Sequence, residues 1–423
     1  MAKVSSMQLI AVFLSGNTGR ILHIQSGLHV DFQEEESHLL PILSKYSPSR
    51  NECNLIFNDP SVAYRINKKP FIVESDKIDR KISTSCEDIK QRGTYPENSR
   101  NEIEKNFPIA FVRVVYKASL SHPGIAIQFD VYSTESVLLC TGPAGHNMTR
   151  SYLECLNILW KKPAWKYAIL LQNDDIPLKN NYEMVQILDA LNGSNIINVG
   201  RPYLHRLPKN ANWSYAALNL YKNSTRNRPD ILLQIAKGSS SVTLSRSFVE
   251  FMLGSLNLTI LIEMFDSKPY GTDEMLFHSL HSDDYLEYII KFLKCITELH
   301  LIIAADAPGG FTRKCIDKQS GFITRYAVWM WSNRPCRSGK FRHSVCIFGV
   351  ADLIHLCEVR ELFANKMISE SDYGAIVCWA RYFTERVSTN PTIDLKTYRE
   401  SQFEEKFEGD NGTKKVSNES QLG

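Results

Sequence analysis

The sequence predicts an α/β fold. Apolar runs rich in β-branched and aromatic residues, typical of buried strands, alternate with segments whose apolar residues recur every three or four positions, as in helices. Hydrophobic residues make up 43% of the 423 positions, which allows a sizeable core. Lys plus Arg number 49 against 46 Asp plus Glu, and a net charge of +3 gives no argument for a nucleic-acid or membrane surface. Any anionic ligand must therefore be met by local positive charge.

Hydrophobic periodicity places the individual elements along the chain. The predicted strands are residues 107–116, 125–130, 165–172, 230–237, 301–304 and 345–348. The predicted helices are residues 146–161, 182–191, 245–253, 285–299 and 352–363. The first two strands are separated by only eight residues that contain Pro-Gly, whereas a parallel crossover usually needs a dozen or more and a helix. An ordinary βαβ unit therefore cannot join them.

Composition divides the chain into four parts. Residues 1–30 contain an apolar run from Met7 to Leu14, far short of the roughly 20 residues of a membrane span, which is either a weak signal-peptide core or a strand. Residues 31–106 are polar and are predicted to form a stem packed beside the core. The main domain is predicted at 107–400, and the polar tail 401–423 is predicted to be disordered.

Cysteines and glycosylation sequons bear on the cellular compartment. Ten cysteines occur without a Cys-x-x-Cys pair, which favours disulfides or buried thiols over a zinc site. Seven Asn-x-Ser/Thr sequons are compatible with passage through the secretory pathway, although such tripeptides also arise by chance. The sequons begin at Asn147, Asn192, Asn212, Asn223, Asn257, Asn411 and Asn418.

Glu274 is the candidate general base. A glycine-containing turn precedes two adjacent acids and then apolar residues at helical spacing, which predicts a helix with Glu274 in its first turn. The dipole at a helix start favours an ionised carboxylate, and a base must be ionised to accept a proton. Acids in first turns are also common merely because they stabilise the helix, so both interpretations stay open.

Two pairs of charged residues could help to bind an anionic ligand, the acidic pair through a divalent ion and the basic pair directly. Asp174 and Asp175 follow the strongest predicted strand and could hold a divalent ion, but acids before proline commonly cap turns, and we favour that interpretation. If the ligand is instead a sugar nucleotide bound without metal, cationic side chains must face its diphosphate. Arg342 and Lys366 flank the C-terminal strand and helix, and each alone is otherwise a surface charge.

Trp329 and Trp331 are candidate sugar-stacking residues. Flat aromatic faces pack on the apolar faces of sugar rings. Aromatic residues at this spacing are more often part of a core, and that alternative stays open.

Several of these segments together carry a family resemblance. The chain resembles the core-2/I-branching β-1,6-N-acetylglucosaminyltransferases of glycosyltransferase family 14, particularly the nematode members. The likeness covers about residues 85–385. The matching stretches are residues 107–111, 145–155, 165–179, 237–240, 272–274, 346–349, 352–353 and 362–366.

The resemblance implies a GT-A-like fold with a mixed central sheet flanked by helices, and a glycosyltransferase domain at 107–400. It implies that Glu274 deprotonates the 6-hydroxyl of a glycan or glycoprotein acceptor for inverting attack on UDP-N-acetylglucosamine. It implies diphosphate contacts from Arg342 and Lys366, and acceptor contacts from Trp329 and Trp331. No metal, no other cofactor and no nucleic-acid partner are expected.

The resemblance also implies two disulfides and a location. The bridges are Cys336–Cys346 and Cys53–Cys378. Family members are anchored in Golgi membranes, so the secretory pathway is implied, although no segment of this sequence has the length of a transmembrane span.

One block of the family is mostly missing from this chain. It lies between Val115 and Ile125, helps form the uridine pocket in the family, and carries the partners of Cys86 and Cys155, for which only Cys140 remains nearby. The nucleotide-binding part is therefore expected to be shortened. Two alternatives stay open: transfer of another sugar such as xylose, and a catalytically impaired glycan-binding relative.

Overall fold

The structure is a computed structural model with mixed α/β architecture. It describes residues 8–13, 48–72, 102–115, 130–133, 145–162, 165–268, 270–283, 285–286, 322–387 and 391–399. The strands are β1 Gln8–Phe13, β2 Ile109–Val115, β3 Asp130–Ser133, β4 Tyr167–Leu171, β5 Asp175–Pro177, β6 Thr243–Ser245, β7 Arg325–Tyr326, β8 Phe341–Arg342, β9 Val345–Cys346 and β10 Phe363–Asn365. The helices are α1 Arg50–Asn58, α2 Pro60–Asn67, α3 Glu102–Asn106, α4 Met148–Trp160, α5 Asn181–Ala190, α6 Tyr215–Leu218, α7 Arg246–Ser255, α8 Thr259–Asp266, α9 Leu276–Ser282, α10 Leu353–Leu356 and α11 Ser369–Val387.

The central sheet has the strand order β3-β1-β2-β4-β6. Strands β2 and β4 are parallel, and every residue of β4 is buried, as expected for a continuous apolar run covered on both faces. Strand β6 pairs with β4 in the antiparallel direction. Helix α4 packs on β2 because its apolar residues recur at helical spacing, and the side chains of Tyr152, Leu156 and Leu159 are fully buried. The predictions of β2, β4, α4, α5 and α7 are confirmed.

Strand β1 lies between β2 and β3 and is antiparallel to both. Gln8 pairs with Val115 at one end of the β1–β2 ladder, and Phe13 pairs with Asp130 on the other side. Of the two interpretations of the first apolar run, the structure has the strand. Strands β2 and β3 are consequently parallel to each other and separated by β1. The predicted strand at 125–130 lies outside the described residues except for Asp130, where β3 begins.

A second apolar core surrounds the small sheet β5-β10-β7. Helix α1 contributes Cys53 and Ile56 to this core, and α11 contributes Trp379, whose indole N–H donates to the carbonyl of Pro177 at 2.9 Å. The Cys53–Cys378 disulfide joins α1 to α11. The segment before residue 107 is thus tied to the C-terminal helix.

Both disulfides implied by the resemblance are present. The second bridge, Cys336–Cys346, closes the loop that contains β8. Cys155 is a buried free thiol, and Cys86 and Cys140 lie outside the described residues.

Two secondary-structure predictions are wrong. Residues 230–237 form isolated bridges, Ser214 with Leu232 and Gly200 with Lys237, because β6 already occupies the free edge of β4. The helix predicted at 352–363 ends at Leu356, since the residues that follow enter the second sheet as β10.

Several other predictions concern residues that the structure leaves undescribed. The strand at 301–304, the tail 401–423 and nearly all of the helix at 285–299 lie outside the described ranges. Within those ranges, no helix combines the length and apolar character needed to cross a membrane.

Candidate active site

A half-buried arginine fixes the turn that follows β4. The Arg113 guanidinium donates to the carbonyls of Gln172 at 3.2 Å and Asn173 at 2.9 Å. Asp175 closes the same turn by accepting from the backbone N–H of Gln172 at 2.6 Å, and its other oxygen accepts from Asn365 at 2.8 Å. Asp175 therefore has the turn-capping role that the sequence favoured. The turn lies at the carboxyl end of a buried strand, where α/β sheets place ligands.

Arg342 and Lys366 lie together beside this turn, and the acid that faces them is Asp174. Burial raises the pKa of the Asp174 carboxyl, while the side chains of Asn173, Lys366 and Arg342 oppose that rise. Burial lowers the pKa of Lys366, and Asp174 opposes that change. Among the described residues, no group of three or more His, Cys, Asp or Glu side chains could hold a metal ion.

Arg342 and Lys366 form a cationic cluster, and Arg325 connects this cluster to the loop that approaches Glu274. Its guanidinium donates to the side chains of Gln172 at 2.6 Å and Ser239 at 3.0 Å. One of its nitrogens also lies 3.8 Å from the Asp175 carboxylate. Only 10% of the Arg325 side chain is exposed, and its guanidinium joins the two segments.

Trp329 and Trp331 form a stacked pair on the surface, with ring centroids 5.1 Å apart. Trp331 is 72% exposed, which excludes the core interpretation for that ring. Trp329 forms a bridge with Val345 on β9, the strand that pairs with β8. The aromatic pair therefore lies next to the hairpin that carries Arg342.

Glu274 is not in the first turn of an α-helix, and that prediction is wrong. It ends a 3-10 turn, Thr272–Glu274, and α9 begins only at Leu276. Met275 separates the two with non-helical backbone angles, φ −125° and ψ −34°. Helix α9 is also only seven residues long. Because helix-dipole effects are confined to the terminal turn, another source of positive charge must stabilise this carboxylate.

Arg206 and Lys237 supply that charge. The Arg206 Nη1 donates to Glu274 Oε2 at 2.7 Å, and Lys237 Nζ lies 3.6 Å from the same oxygen. A quarter of the Glu274 side chain remains exposed. The carboxylate is thus held by two cations while it stays accessible, as a base requires.

Two glycines allow the backbone to approach these side chains. The Gly238 N–H donates to the Glu274 carbonyl at 2.9 Å, and a Cβ at Gly238 would lie 2.1 Å from the Asn198 carbonyl oxygen. Gly271 has φ +71°, and a Cβ there would lie 2.5 Å from Arg206 Nη1. Larger residues at either position would displace the turn that bears Glu274.

Asp273 is a second, buried carboxyl beside Glu274. Burial and, to a smaller extent, the neighbouring Glu274 charge together raise the pKa of Asp273 to about 7, while Arg325 and Arg206 oppose the shift. Its carboxyl packs against the backbone of Gly145, where a Cβ would lie 2.0 Å from Oδ1. Asp273 therefore changes charge near neutral pH within contact range of the candidate base.

The sequons differ in exposure. Asn192, Asn212 and Asn223 are exposed, whereas Asn147 and Asn257 are half-buried. Asn411 and Asn418 lie outside the described residues. Solvent access therefore favours the first three as glycan carriers.

The comparison with known protein families decides where this chain belongs. Residues 141–356, about half of the chain, match the family described as Core-2/I-Branching enzyme. The chain belongs to the core-2/I-branching enzyme family. It is 26% identical to mouse beta-1,3-galactosyl-O-glycosyl-glycoprotein beta-1,6-N-acetylglucosaminyltransferase 4 over 72% of each chain. It is 24% identical to the Danio rerio protein of that name over 76% of this chain and 80% of the relative.

These comparisons show that this core-2/I-branching protein is a glycosyltransferase. A human beta-1,3-galactosyl-O-glycosyl-glycoprotein beta-1,6-N-acetylglucosaminyltransferase is 25% identical over 74% of this chain and 78% of its own length. The sequence of this core-2/I-branching enzyme predicted Glu274 as a site residue but not Arg206 or Arg325, which no motif marks. Lys237 lies in a matching stretch, and only the structure shows its distance from Glu274.

Proposed function

We propose that this core-2/I-branching enzyme transfers N-acetylglucosamine from UDP-N-acetylglucosamine to a 6-hydroxyl of a glycan acceptor, with inversion and without a metal ion. The observation that carries the proposal is the accessible Glu274 carboxylate held by Arg206 and Lys237. The printed names of the relatives, β-1,6-N-acetylglucosaminyltransferases acting on β-1,3-galactosyl-O-glycosyl-glycoproteins, support the choice of sugar and linkage. The GT-A-like assignment of the fold is part of this proposal.

Glu274 is the general base of the proposed reaction. Its carboxylate takes the proton of the acceptor 6-hydroxyl as that oxygen forms a bond to the anomeric carbon of the donor sugar. The bond between that carbon and the diphosphate oxygen breaks on the opposite face, which inverts the configuration. The proton then passes from Glu274 to solvent, and UDP leaves with the bonding electron pair.

Lys366 and Arg342 stabilise the negative charge that builds up on the departing diphosphate. Cationic side chains aimed at a leaving group supply electrostatic stabilisation of the kind that a metal ion supplies elsewhere. Both lie in the cluster beside Asp174, and Arg325 connects this cluster to the loop at Glu274. Metal independence is proposed on this basis and on the family resemblance.

Trp329 and Trp331 form the proposed acceptor platform. Their stacked, exposed rings offer apolar faces for a sugar ring, and their place beside β8 brings them close to the cationic cluster. The proposed location is the secretory pathway, with membrane association by family resemblance. Two disulfides and three exposed sequons support an oxidising compartment.

The test is an assay with UDP-N-acetylglucosamine and a Galβ1-3GalNAc aryl glycoside in the presence of EDTA. We expect UDP release and a β-1,6-linked product identified by NMR. Glu274→Gln should lower turnover by at least about 100-fold, because a neutral amide cannot accept the proton. Glu250→Gln is the matched control: Glu250 also pairs with an arginine, Arg246, at 2.6 Å, but lies on α7. Metal-dependent turnover, or an undiminished Glu274→Gln variant, contradicts the proposal.

A calorimetric titration with UDP separates this function from its alternatives. Binding of UDP with turnover of UDP-xylose in place of UDP-N-acetylglucosamine identifies a different transferred sugar. Glycan binding without UDP binding identifies a catalytically impaired relative whose shortened nucleotide-binding part does not form a donor pocket.

A further inference from the structure

The two oxygens of the Glu274 carboxylate have different surroundings. Oε2 accepts from Arg206 at 2.7 Å and lies 3.6 Å from Lys237 Nζ. Oε1 accepts a hydrogen bond from none of the residues that the structure describes. One oxygen is therefore anchored and the other is available to a ligand.

Arg206 is itself held on three sides. Its guanidinium carbon lies 4.9 Å from the ring centroid of Tyr203 and 4.6 Å from that of Tyr270. The backbone of Gly271 lies on a further side, so close that a Cβ at Gly271 would clash with the guanidinium. Only 15% of the Arg206 side chain is exposed. A planar guanidinium confined between two rings points its donors in a fixed direction, which a flexible lysine does not do.

We propose that Arg206 is the positioning residue of Glu274, fixing the carboxylate through Oε2 so that Oε1 is the oxygen that accepts the acceptor's proton. This inference rests on the proposed role of Glu274 as the base. Arg206 does not touch the reacting atoms and acts only through the carboxylate. A base held within a few tenths of an ångström of its productive position retains a rate advantage that a freely rotating glutamate loses.

The charged groups around Glu274 come from separate elements. Arg206 comes from the 3-10 turn Leu204–Arg206, Lys237 from the loop before β6, and Asp273 from the turn that carries Glu274. Arg325 acts on Asp273 from β7. Removing the Arg206 side chain leaves Lys237 as the remaining cation at Oε2, at the longer distance of 3.6 Å.

Kinetics of Arg206→Met and Arg206→Lys provide the first test. We expect Arg206→Met to lower kcat by roughly 10- to 100-fold and to leave the donor KM within about twofold. Arg206→Lys restores the positive charge without the planar guanidinium and should recover only part of the lost kcat. Arg226→Met is the matched control, because Arg226 also lies over a tyrosine ring, Tyr221, at 4.7 Å. An unchanged kcat, or a loss confined to the donor KM, overturns the proposal.

A double-mutant cycle tests the pair without any activity measurement. The melting temperature is measured for the wild type, Arg206→Met, Glu274→Gln and the double variant. If Arg206 holds Glu274, the shift of the double variant differs from the sum of the single shifts, because the two residues share one interaction. Additive shifts overturn the proposal even where Glu274→Gln inactivates the enzyme. If the shifts are not additive but the protein has no transferase activity, the proposed function is refuted. The interaction between Arg206 and Glu274 is then still established.

Discussion

Replacing Gly238 with alanine tests whether close backbone packing holds the Glu274 turn in place. The new Cβ would lie 2.1 Å from the Asn198 carbonyl oxygen and 2.4 Å from Cδ2 of His278, which is fully buried. Asn198 cannot move freely, since its side chain accepts from the Ser239 N–H at 2.7 Å. The backbone at residue 238 must therefore shift.

The expected cost is that of an overpacked site. Overpacking commonly costs about 1–3 kcal/mol, and three contacts below 3.0 Å place Gly238→Ala near the upper end. At an unfolding entropy of about 2.1 cal/mol/K per residue, 1 kcal/mol shifts the melting temperature of a domain of about 300 residues by roughly 1.6 °C, so the melting temperature should fall by roughly 5 °C. Turnover should fall as well, by about tenfold or more, because the Gly238 N–H bonds the Glu274 carbonyl.

Thermal unfolding followed by circular dichroism, together with UDP release, measures both effects. Gly200→Ala is the matched control: Gly200 pairs with Lys237 through two backbone hydrogen bonds, and its added Cβ would meet only the Lys237 carbonyl at 3.6 Å. We expect this variant to remain within about 1 kcal/mol of the wild type. Equal melting temperatures for the two glycine variants would refute the packing argument.

Two further predictions concern stability. Cys53→Ser should lower the melting temperature about twice as much as Cys336→Ser under non-reducing conditions, because loop-closure entropy gives roughly 6 kcal/mol for a separation of 325 residues and roughly 3 kcal/mol for 10. Equal losses contradict the entropic argument. Burial lowers the pKa of His278 to about 3, so below pH 6.5 the unfolded chain takes up the proton first and stability falls. Leucine does not titrate, so between pH 7 and pH 5 the free energy of unfolding should fall by about 2 kcal/mol less for His278→Leu than for the wild type, as measured by urea unfolding. Parallel pH dependences for the two proteins contradict the assignment.

The strands and helices that sequence predicts well are those with a continuous local pattern. Strand β4 is a fully buried apolar run, and helix α4 has buried residues at helical spacing, so neighbouring positions carry the information. Strand β10 has only three residues, and its conformation depends on pairing with β5 and β7. Such long-range pairing leaves no local signal, which is why β10 was not predicted and the helix predicted at 352–363 was extended to its first residue.

The residues of the candidate site also differ in whether the local sequence indicates them. Glu274 was predicted from the local pattern of acids before apolar residues, and the family resemblance implied its role and those of Lys366 and Arg342, which lie in or beside stretches that match it. Arg206 lies 68 positions before Glu274 in a short 3-10 turn, and nothing in its surrounding residues indicates that partner. The source of positive charge at Glu274 was accordingly misassigned to a helix dipole, although the residue itself was predicted.

Strand β1 keeps β2 inside the central sheet through residues 8–13. With β1 in place, β2 and β3 each have a hydrogen-bonded neighbour on that side, more than 95 positions away along the chain. A chain that begins after Phe13 leaves the backbone N–H and C=O groups on that side of β2 without partners, and open edges of this kind invite pairing between molecules. The same six residues cannot be both this strand and part of a removed leader. The position of the mature N-terminus therefore decides whether β2 lies inside the sheet or at an open edge.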